Sequence, residues 1–395
     1  MMDTRRLDAV ADITMGQAPE GESYNLDAEG LPLIAGAGDF GELHPKPKKF
    51  TTAPGKTCQA GDVVLGIRAT IGEKVLADGT YCLGRGVAGL RVKSGLDERY
   101  LWHWLTDAAP SLAAKAKGAT FKQVNREDIG ELRIALPPLP EQRRIAKILD
   151  KADALRAKRR VAIAKLDSLT QSIFLDMFGD PATNPKGWPS QRLGECASKF
   201  SDGPFGSNLK SSHYTQTGIR VVRLQNIGVN AFLNADAAYI SEHHFAKLKK
   251  HECLPGDVLV GTLGEPNLRA CIQPNWLSVA LNKADCVQIR PDARMATSEF
   301  LCALLNQPST ARMAQDLMHG QTRVRISMGR LRNLSVPIPP IGLQRKFATR
   351  VSSVETLKGK QGTFLSKLND LFSTVQHRAF RGDLKLPEET HGVGS

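Results

Sequence analysis

Two stretches of this chain carry apolar side chains at a seven-residue spacing, while the segments before and between them have short apolar runs broken by glycine, proline and asparagine. The first stretch, 141–178, follows Pro140 and contains no glycine or proline. It places Ile145, Ala152, Leu166 and Ile173 at heptad position a, and Ile148, Leu155, Ala162 and Leu169 at d, with Arg159 at the remaining a position. At about 1.5 Å per residue this predicts a rod of roughly 57 Å. The second, 343–381, offers Phe347, Val354, Leu368 and Val375 at a and Leu357, Phe364 and Leu371 at d, with Gln361 facing the seam. The pattern predicts two long helices sharing one seam, Ile145, Ile148, Leu155, Leu166 and Leu169 against Phe347, Leu357, Phe364, Leu368 and Leu371. Gly359 and Gly362 weaken the second helix by about 1 kcal/mol each relative to alanine, which makes the Gln361 neighbourhood its soft point.

The remaining segments read as α+β globules. Short strands are expected at 31–35, 62–67, 87–92, 219–224, 257–260 and 286–289, each bounded by turn-forming residues. One helix is expected late in each globule, at 97–106 and at 297–306, the latter opened by the cap signal Thr297-x-Ser-Glu.

The pattern is also duplicated. Ile134-Ala-Leu-Pro-Pro-Leu-Pro-Glu-Gln-Arg-Arg-Ile-Ala146 returns as Val336-Pro-Ile-Pro-Pro-Ile-Gly-Leu-Gln-Arg-Lys-Phe-Ala348, and Gly61-Asp62-Val63-Val64 as Gly256-Asp257-Val258-Leu259. Two long units, not the many short ones of a solenoid, are implied. The boundaries read as a globule at 1–139, a helix at 140–180, a globule at 181–340, a helix at 341–386 and a disordered tail at 387–395. Helix one carries the chain from globule one to globule two, and helix two starts at globule two. An antiparallel pair and a pseudo-two-fold relation between the halves are therefore expected.

Composition changes this picture in four ways. The 53 basic and 40 acidic residues give a net charge of +13, which suits a polyanionic partner. Residues 1–139 hold 17 basic and 18 acidic side chains, against 18 and 11 in 181–340, so the first globule should contribute less to non-specific affinity. The seven cysteines have no C-x-x-C spacing, so neither a disulfide framework nor a thiolate zinc site is suggested. With no apolar leader and no long apolar run, a cytoplasmic protein without membrane contact is expected.

Candidate binding chemistry concentrates in two basic, glycine-bearing loops, one after each globular helix. The first offers Lys122, Gln123, Asn125 and Arg126, and the second offers Gln321, Arg323 and Arg325. Arginine suits guanine, and asparagine or glutamine suits adenine, in the major groove of double-stranded DNA. Arg68, Arg85, Lys210, Arg223, Arg269 and Lys283 are further candidates; the competing reading for any one of them is solvated charge on a surface turn. Catalytic leads fail. Gly36-x-Gly38-x-x-Gly41 is followed by Pro45 and Pro47, which forbid the helix of a dinucleotide fingerprint, and Gly55-Lys56-Thr57 lacks the first glycine of a phosphate loop. His243, His244, His251 and Cys253 match no standard metal spacing, so no metal or catalytic residue is assigned.

With Leu136-Pro-Pro-Leu-Pro-Glu-Gln142, the coil and Phe178-Gly-Asp180, the sequence resembles the specificity (S) subunits of type I restriction-modification systems over nearly its whole length. The resemblance implies two tandem α/β target-recognition domains joined by two long antiparallel coiled-coil helices, and a subunit without catalysis of its own. It implies a bipartite DNA target, one half per domain, with the helices setting the gap. Two modification (methyltransferase) subunits carrying S-adenosylmethionine would methylate adenine, and restriction (translocase/nuclease) subunits would cut. Gly342-Leu343 stand where the first copy has Pro140-Glu141, which puts the cap of the second helix in doubt. On the residues alone, a freestanding two-headed DNA-bridging regulator is the serious rival, and an enzyme with an unrecognised site a further one.

Overall fold

The computed structural model describes residues 4–118, 122–264, 266–319, 324–381 and 383. The expected tail at 387–395 lies outside them. The chain forms two compact units, Met1–Arg160 with Thr363–Ser395, and Val161–Gly362, so the unit boundaries cut through both long helices. Each unit mixes helices and sheets as an α+β body.

In unit 1 a four-stranded antiparallel sheet runs in the order Ala11–Met15, Val87–Val92, Val63–Gly66, Lys74–Leu76. A five-stranded sheet runs Tyr24–Asn25, Lys49–Thr51, Leu31–Ile34, Tyr81–Leu83, Thr57–Cys58, with Leu31–Ile34 and Tyr81–Leu83 parallel. Unit 2 repeats both orders. Its four-stranded sheet is Ala197–Ser201, Cys286–Pro291, Val258–Gly261, Ala270–Ile272. Its five-stranded sheet is Tyr214–Thr215, Tyr239–Ile240, Ile219–Val222, Ala280–Asn282, Glu252–Cys253, again with one parallel pair, Ile219–Val222 and Ala280–Asn282. The duplication seen in the sequence is thus a duplication of sheet topology.

The globular helices differ in length. Asp97 caps Glu98–Ala114 through its side chain, and that helix runs on through Pro110 well past the expected end. Thr297 caps Ser298–Leu305, after which Pro308 opens a separate short helix, Pro308–Met313. Proline lacks an amide hydrogen and is best accommodated in a first turn, so it restarts the second helix.

The repeated motifs have specific structural duties. Gln142 is buried at the start of the first long helix; its Oε1 accepts from Asp97 N at 2.9 Å, and its Nε2 donates to Gly95 O and Pro137 O, both at 2.8 Å. Gln344 repeats the clamp on Thr297 N at 3.0 Å, Met295 O at 3.0 Å and Pro339 O at 2.8 Å. One amide therefore fixes each long helix to the start of a globular helix. The Gly-Asp-Val motif is equally structural: buried Asp62 takes a bidentate pair from Arg91 at 2.8 and 2.7 Å, and buried Asp257 one from Arg290 at 2.8 and 2.9 Å. Gly61 and Gly256 hold φ of 90° and 86° in the preceding turn, a region that favours glycine.

The long helices span Leu139–Phe178 and Ile341–Arg381, the second uninterrupted despite Gly359, Gly362 and Gly342-Leu343. In unit 1, Arg156 donates to Asn369 at 2.7 Å and lies over the Phe372 ring, while Arg159 lies over Phe364, an antiparallel order. In unit 2, Lys358 pairs with Asp167 at 2.5 Å, and Phe174 meets Phe347.

The expected seam needs correction. Ile145 and Phe347 are buried and Ile148, Leu166 and Leu368 half-buried, but Leu155, Leu169, Leu357, Phe364 and Leu371 are 43–56% exposed. The second contact row falls one residue after the expected d row, at Leu149, Arg156, Thr170, Lys358 and Phe372, and continues one heptad on to Ala379. Both rows repeat every seven residues, so period alone does not choose between them. The globules choose, because Leu149, Phe372 and Ala379 enter the core of unit 1 beside Tyr100 and Leu101.

Candidate nucleic-acid interface

In unit 1 the parallel strands Leu31–Ile34 and Tyr81–Leu83 end side by side, and their outgoing turns form a cleft of about 420 Å³. Tyr24, Ala35–Gly38, Arg68–Thr70 and Gly84–Gly86 line it. The backbones are locked together: Gly84 N donates to Ile34 O at 2.8 Å, Gly86 N to Ala35 O at 3.0 Å, and Ile67 N to Gly86 O at 3.0 Å. A Cβ on Gly86 would stand 2.3 Å from Ala35 O, so this approach requires glycine. Arg68 and Arg85 are exposed, and among the described residues neither guanidinium has a hydrogen bond or ion pair.

The first polar loop folds back onto this cleft. Lys117 and Gln123 exchange backbone hydrogen bonds at 3.0 Å, Gln123 bridges Arg68, and Val124 N donates to Ile67 O at 3.1 Å. Lys122, Gln123 and Arg126 are exposed at its rim. Asn125 is committed elsewhere: its Oδ1 accepts from Asp128 N at 2.8 Å while its own N donates to Asp128 Oδ2 at 2.9 Å, capping the helix Arg126–Gly130.

Unit 2 builds the same frame with other side chains. Met318–His319 pairs with Arg325–Ile326, Leu263 bridges Arg325, and Ile326 N donates to Thr262 O at 3.0 Å. Leu263 therefore stands where unit 1 has Arg68, and Arg325 where it has Gln123. Lys283 N donates to Val222 O as Gly84 N does to Ile34 O, which puts Ala284 in the place of Arg85. Gln321 and Arg323 lie outside the described residues.

The other candidates in unit 2 are mostly engaged. Arg223 is paired with Asp236, and Arg269 donates to the carbonyls of Leu224, Ile227, Leu263 and Pro266, which commits it to holding loops together. Lys283 lies 5.9 Å from the centre of the Tyr214 ring, and Arg325 is 4.0 Å from Asp285. Lys210 is exposed beside the His213 and His244 rings, whose centres lie 4.1 Å apart with planes tilted by 38°, where desolvation first and His244 second hold the His213 pKa below its usual value. Tyr24 and the glycine walls of the cleft escaped the sequence reading, because parallel pairing of strands far apart in the chain leaves no local signal.

All seven cysteines are buried, and burial pushes the Cys58 and Cys196 thiols up to about 11 and Cys271 and Cys286 to about 12. A thiol so raised is a poor nucleophile at neutral pH. Among the described residues no group of histidine, cysteine and carboxylate side chains could hold a metal ion, and no helix is long and apolar enough to cross a membrane.

Residues 1–165 match the family described as type I restriction modification DNA specificity domain. The putative type I restriction enzyme MjaX specificity subunit of Methanocaldococcus jannaschii is 33% identical over 162 residues, 41% of this chain and 38% of that one. The EcoBI specificity subunit of Escherichia coli is 21% identical over 96% of this chain and 85% of its own length. In sequence the chain is similar to type I specificity subunits. It spans 38% of the MjaX subunit and 64% of the MjaVIII specificity subunit of the same archaeon. The fold agrees: the crystal structure of the type I S subunit from M. genitalium superposes with TM-score 0.57 at 17% identity, over 98% of this chain and 97% of that one. A chain from a structural study of complex assembly and conformational transition in the type I R-M system gives 0.60 at 20% identity, over 97% and 98%.

Proposed function

We propose that this chain is the sequence-reading, non-catalytic specificity subunit of a type I restriction-modification assembly, binding a split target in double-stranded DNA with one unit per half. The observation that carries the reading is the repeated frame with different rim residues: Arg68, Arg85 and Gln123 in one unit, Leu263, Ala284 and Arg325 in the other. A protein that reads two different half-sites needs a common scaffold and unlike edges, because contacts to base edges specify while backbone contacts position. Lys122, Arg126 and Lys210 are exposed cations that add to the electrostatic attraction for DNA.

The assembly includes two modification subunits, which bind S-adenosylmethionine and methylate adenine, and restriction subunits that cut. The exposed helix row offers them apolar anchors, Leu155 and Leu371 in unit 1 and Leu169 and Leu357 in unit 2. Single exposed leucines are ordinary, but a regular row along a helix marks a contact surface. Adenine-methylation mapping of host DNA with the gene present and deleted tests the reading. Loss of one split motif on deletion is expected, whereas an unchanged methylome would favour a freestanding DNA-binding regulator.

A further inference from the structure

From the cleft at the ends of strands Leu31–Ile34 and Tyr81–Leu83 we infer that the half-site read by unit 1 contains a guanine, received there and read by Arg68 and Arg85. The inference rests on the DNA-reading function proposed above and names the base class and the residues that choose it.

Three observations converge. First, the cleft is lined by two unpaired guanidiniums and by no carboxylate, so it selects an acceptor-rich group. Elsewhere in the same globule Arg6, Arg91 and Arg99 are each held by an aspartate. In the major groove the edge with two adjacent acceptors is that of guanine, O6 and N7, which arginine meets bidentately.

Second, the arginines are mounted for precision. The hydrogen bond from Ile67 N to Gly86 O joins the residues next to Arg68 and Arg85, so the two side chains leave neighbouring, mutually fixed turns. Opposite them Gly36 and Gly38 present open space where a side chain would otherwise stand, so a base-pair edge can come close to the backbone.

Third, the repeat itself separates reading from positioning. Phosphates are the same in every half-site, so phosphate contacts should recur in both units. Base contacts should differ. Both arginines are replaced, by Leu263 and Ala284, in the matching turns of unit 2. The pair therefore falls in the class that varies with sequence.

The test uses the full chain assembled with its modification partners. Binding is measured to duplexes carrying the mapped motif and to each single-base-pair variant of it, for wild type, Arg68→Ala, Arg85→Ala, Arg68→Lys and Arg85→Lys. The expected result is loss of discrimination at a G·C pair in one half only, by roughly 5- to 140-fold, with lysine failing to restore it because it lacks the planar fork. A uniform loss across all duplexes that lysine rescues would make these phosphate contacts and overturn the proposal. So would relaxation confined to A·T pairs, or unchanged discrimination. If the wild-type complex shows no split motif at all, the DNA-reading function fails with it, an outcome distinct from the other three.

Discussion

The two units fasten their globule to the long helices at the same place with different chemistry. In unit 1, buried His103 sets its Nε2 2.7 Å from Asp150 Oδ1, Arg99 joins the same carboxylate, and Gln376 Nε2 donates to His103 O at 2.9 Å. Phe372 meets the His103 ring edge-on at 6.1 Å. The matching positions of unit 2 are Ala303, Ser352, Phe174 and Thr170. There Phe174, Phe178, Phe300 and Phe347 pack with ring centres 5.0–5.8 Å apart. Beside them lies a cavity of about 630 Å³ bordered by Thr170, Ala303, Asn306 and Lys358. The difference teaches which parts are frame and which are filling. The glutamine clamp and the aspartate–arginine pair are common to both units; the joint is polar in one and aromatic in the other.

The largest effect should come from the aromatic side of this comparison. Phe174→Ala removes a buried ring from a four-ring cluster and should cost unit 2 about 3–5 kcal/mol. Gln376→Ala, its counterpart in unit 1, removes one hydrogen bond and should cost about 1–2 kcal/mol. Amide exchange in Val258–Gly261 and Val63–Gly66 reports each unit separately. Equal losses would mean that the joints are energetically alike despite their chemistry.

The clamps should behave alike. Gln142→Ala and Gln344→Ala each strip three hydrogen bonds, one of them buried and two partly so, and each should cost its own unit about 1–3 kcal/mol. The same exchange probes measure it. A difference above about 1 kcal/mol would place part of the clamp in the variable class.

These two levels were unequally legible in the sequence. The long helices, the duplication and the α+β globules follow from periodicity, motif recurrence and turn residues, all local signals. The seam row did not follow, because Leu155 or Arg156 satisfies a seven-residue period equally well, and the decision is made by Phe372 and Ala379 docking against residues far away in the chain. The cleft was half legible: Arg68, Arg85 and Gln123 were visible as charges and amides, but Tyr24 and Gly84–Gly86 join them only through the parallel strand pair. Arg269 and Asn125 were legible as polar loop residues, yet their hydrogen bonds commit them to the fold.

Acid should separate the units. Desolvation, partly offset by Asp150, holds the His103 pKa below 6.5, so the unfolded chain takes up a proton that the folded unit resists. Unit 1 should then lose stability as pH falls from about 6.5 toward the folded pKa, and the loss should level off below it. The Asp150 carboxylate, also held below its usual value despite desolvation by its bonds to Arg99 and His103, adds a second loss only below 3.8. Ala303 does not titrate, so the joint of unit 2 lacks this contribution, and the histidine response there falls to His213, whose pKa desolvation and His244 hold below its usual value. Exchange measured at pH 7.5, 6.5 and 5.5 on wild type and His103→Gln checks this: the variant should flatten unit 1 and leave unit 2 unchanged.

The smallest effect concerns the one polar group that the aromatic joint strands. Thr170 is 7% exposed, and its Oγ1 has no hydrogen-bond partner among the described residues, at the position where unit 1 places the Phe372 ring. Leaving a hydroxyl unpaired costs more than having none, because its bonds to water are lost and nothing replaces them. Valine has nearly the same shape, so Thr170→Val removes the stranded group without opening a new void. Unit 2 should gain about 1 kcal/mol, read as slower exchange in Val258–Gly261. Unit 1 should not move, since the matching residue there is already a hydrocarbon ring. A loss of similar size would mean that water from the adjoining cavity serves the hydroxyl, and would make the aromatic joint a wet one, closer to its polar counterpart than the packing of its four rings suggests.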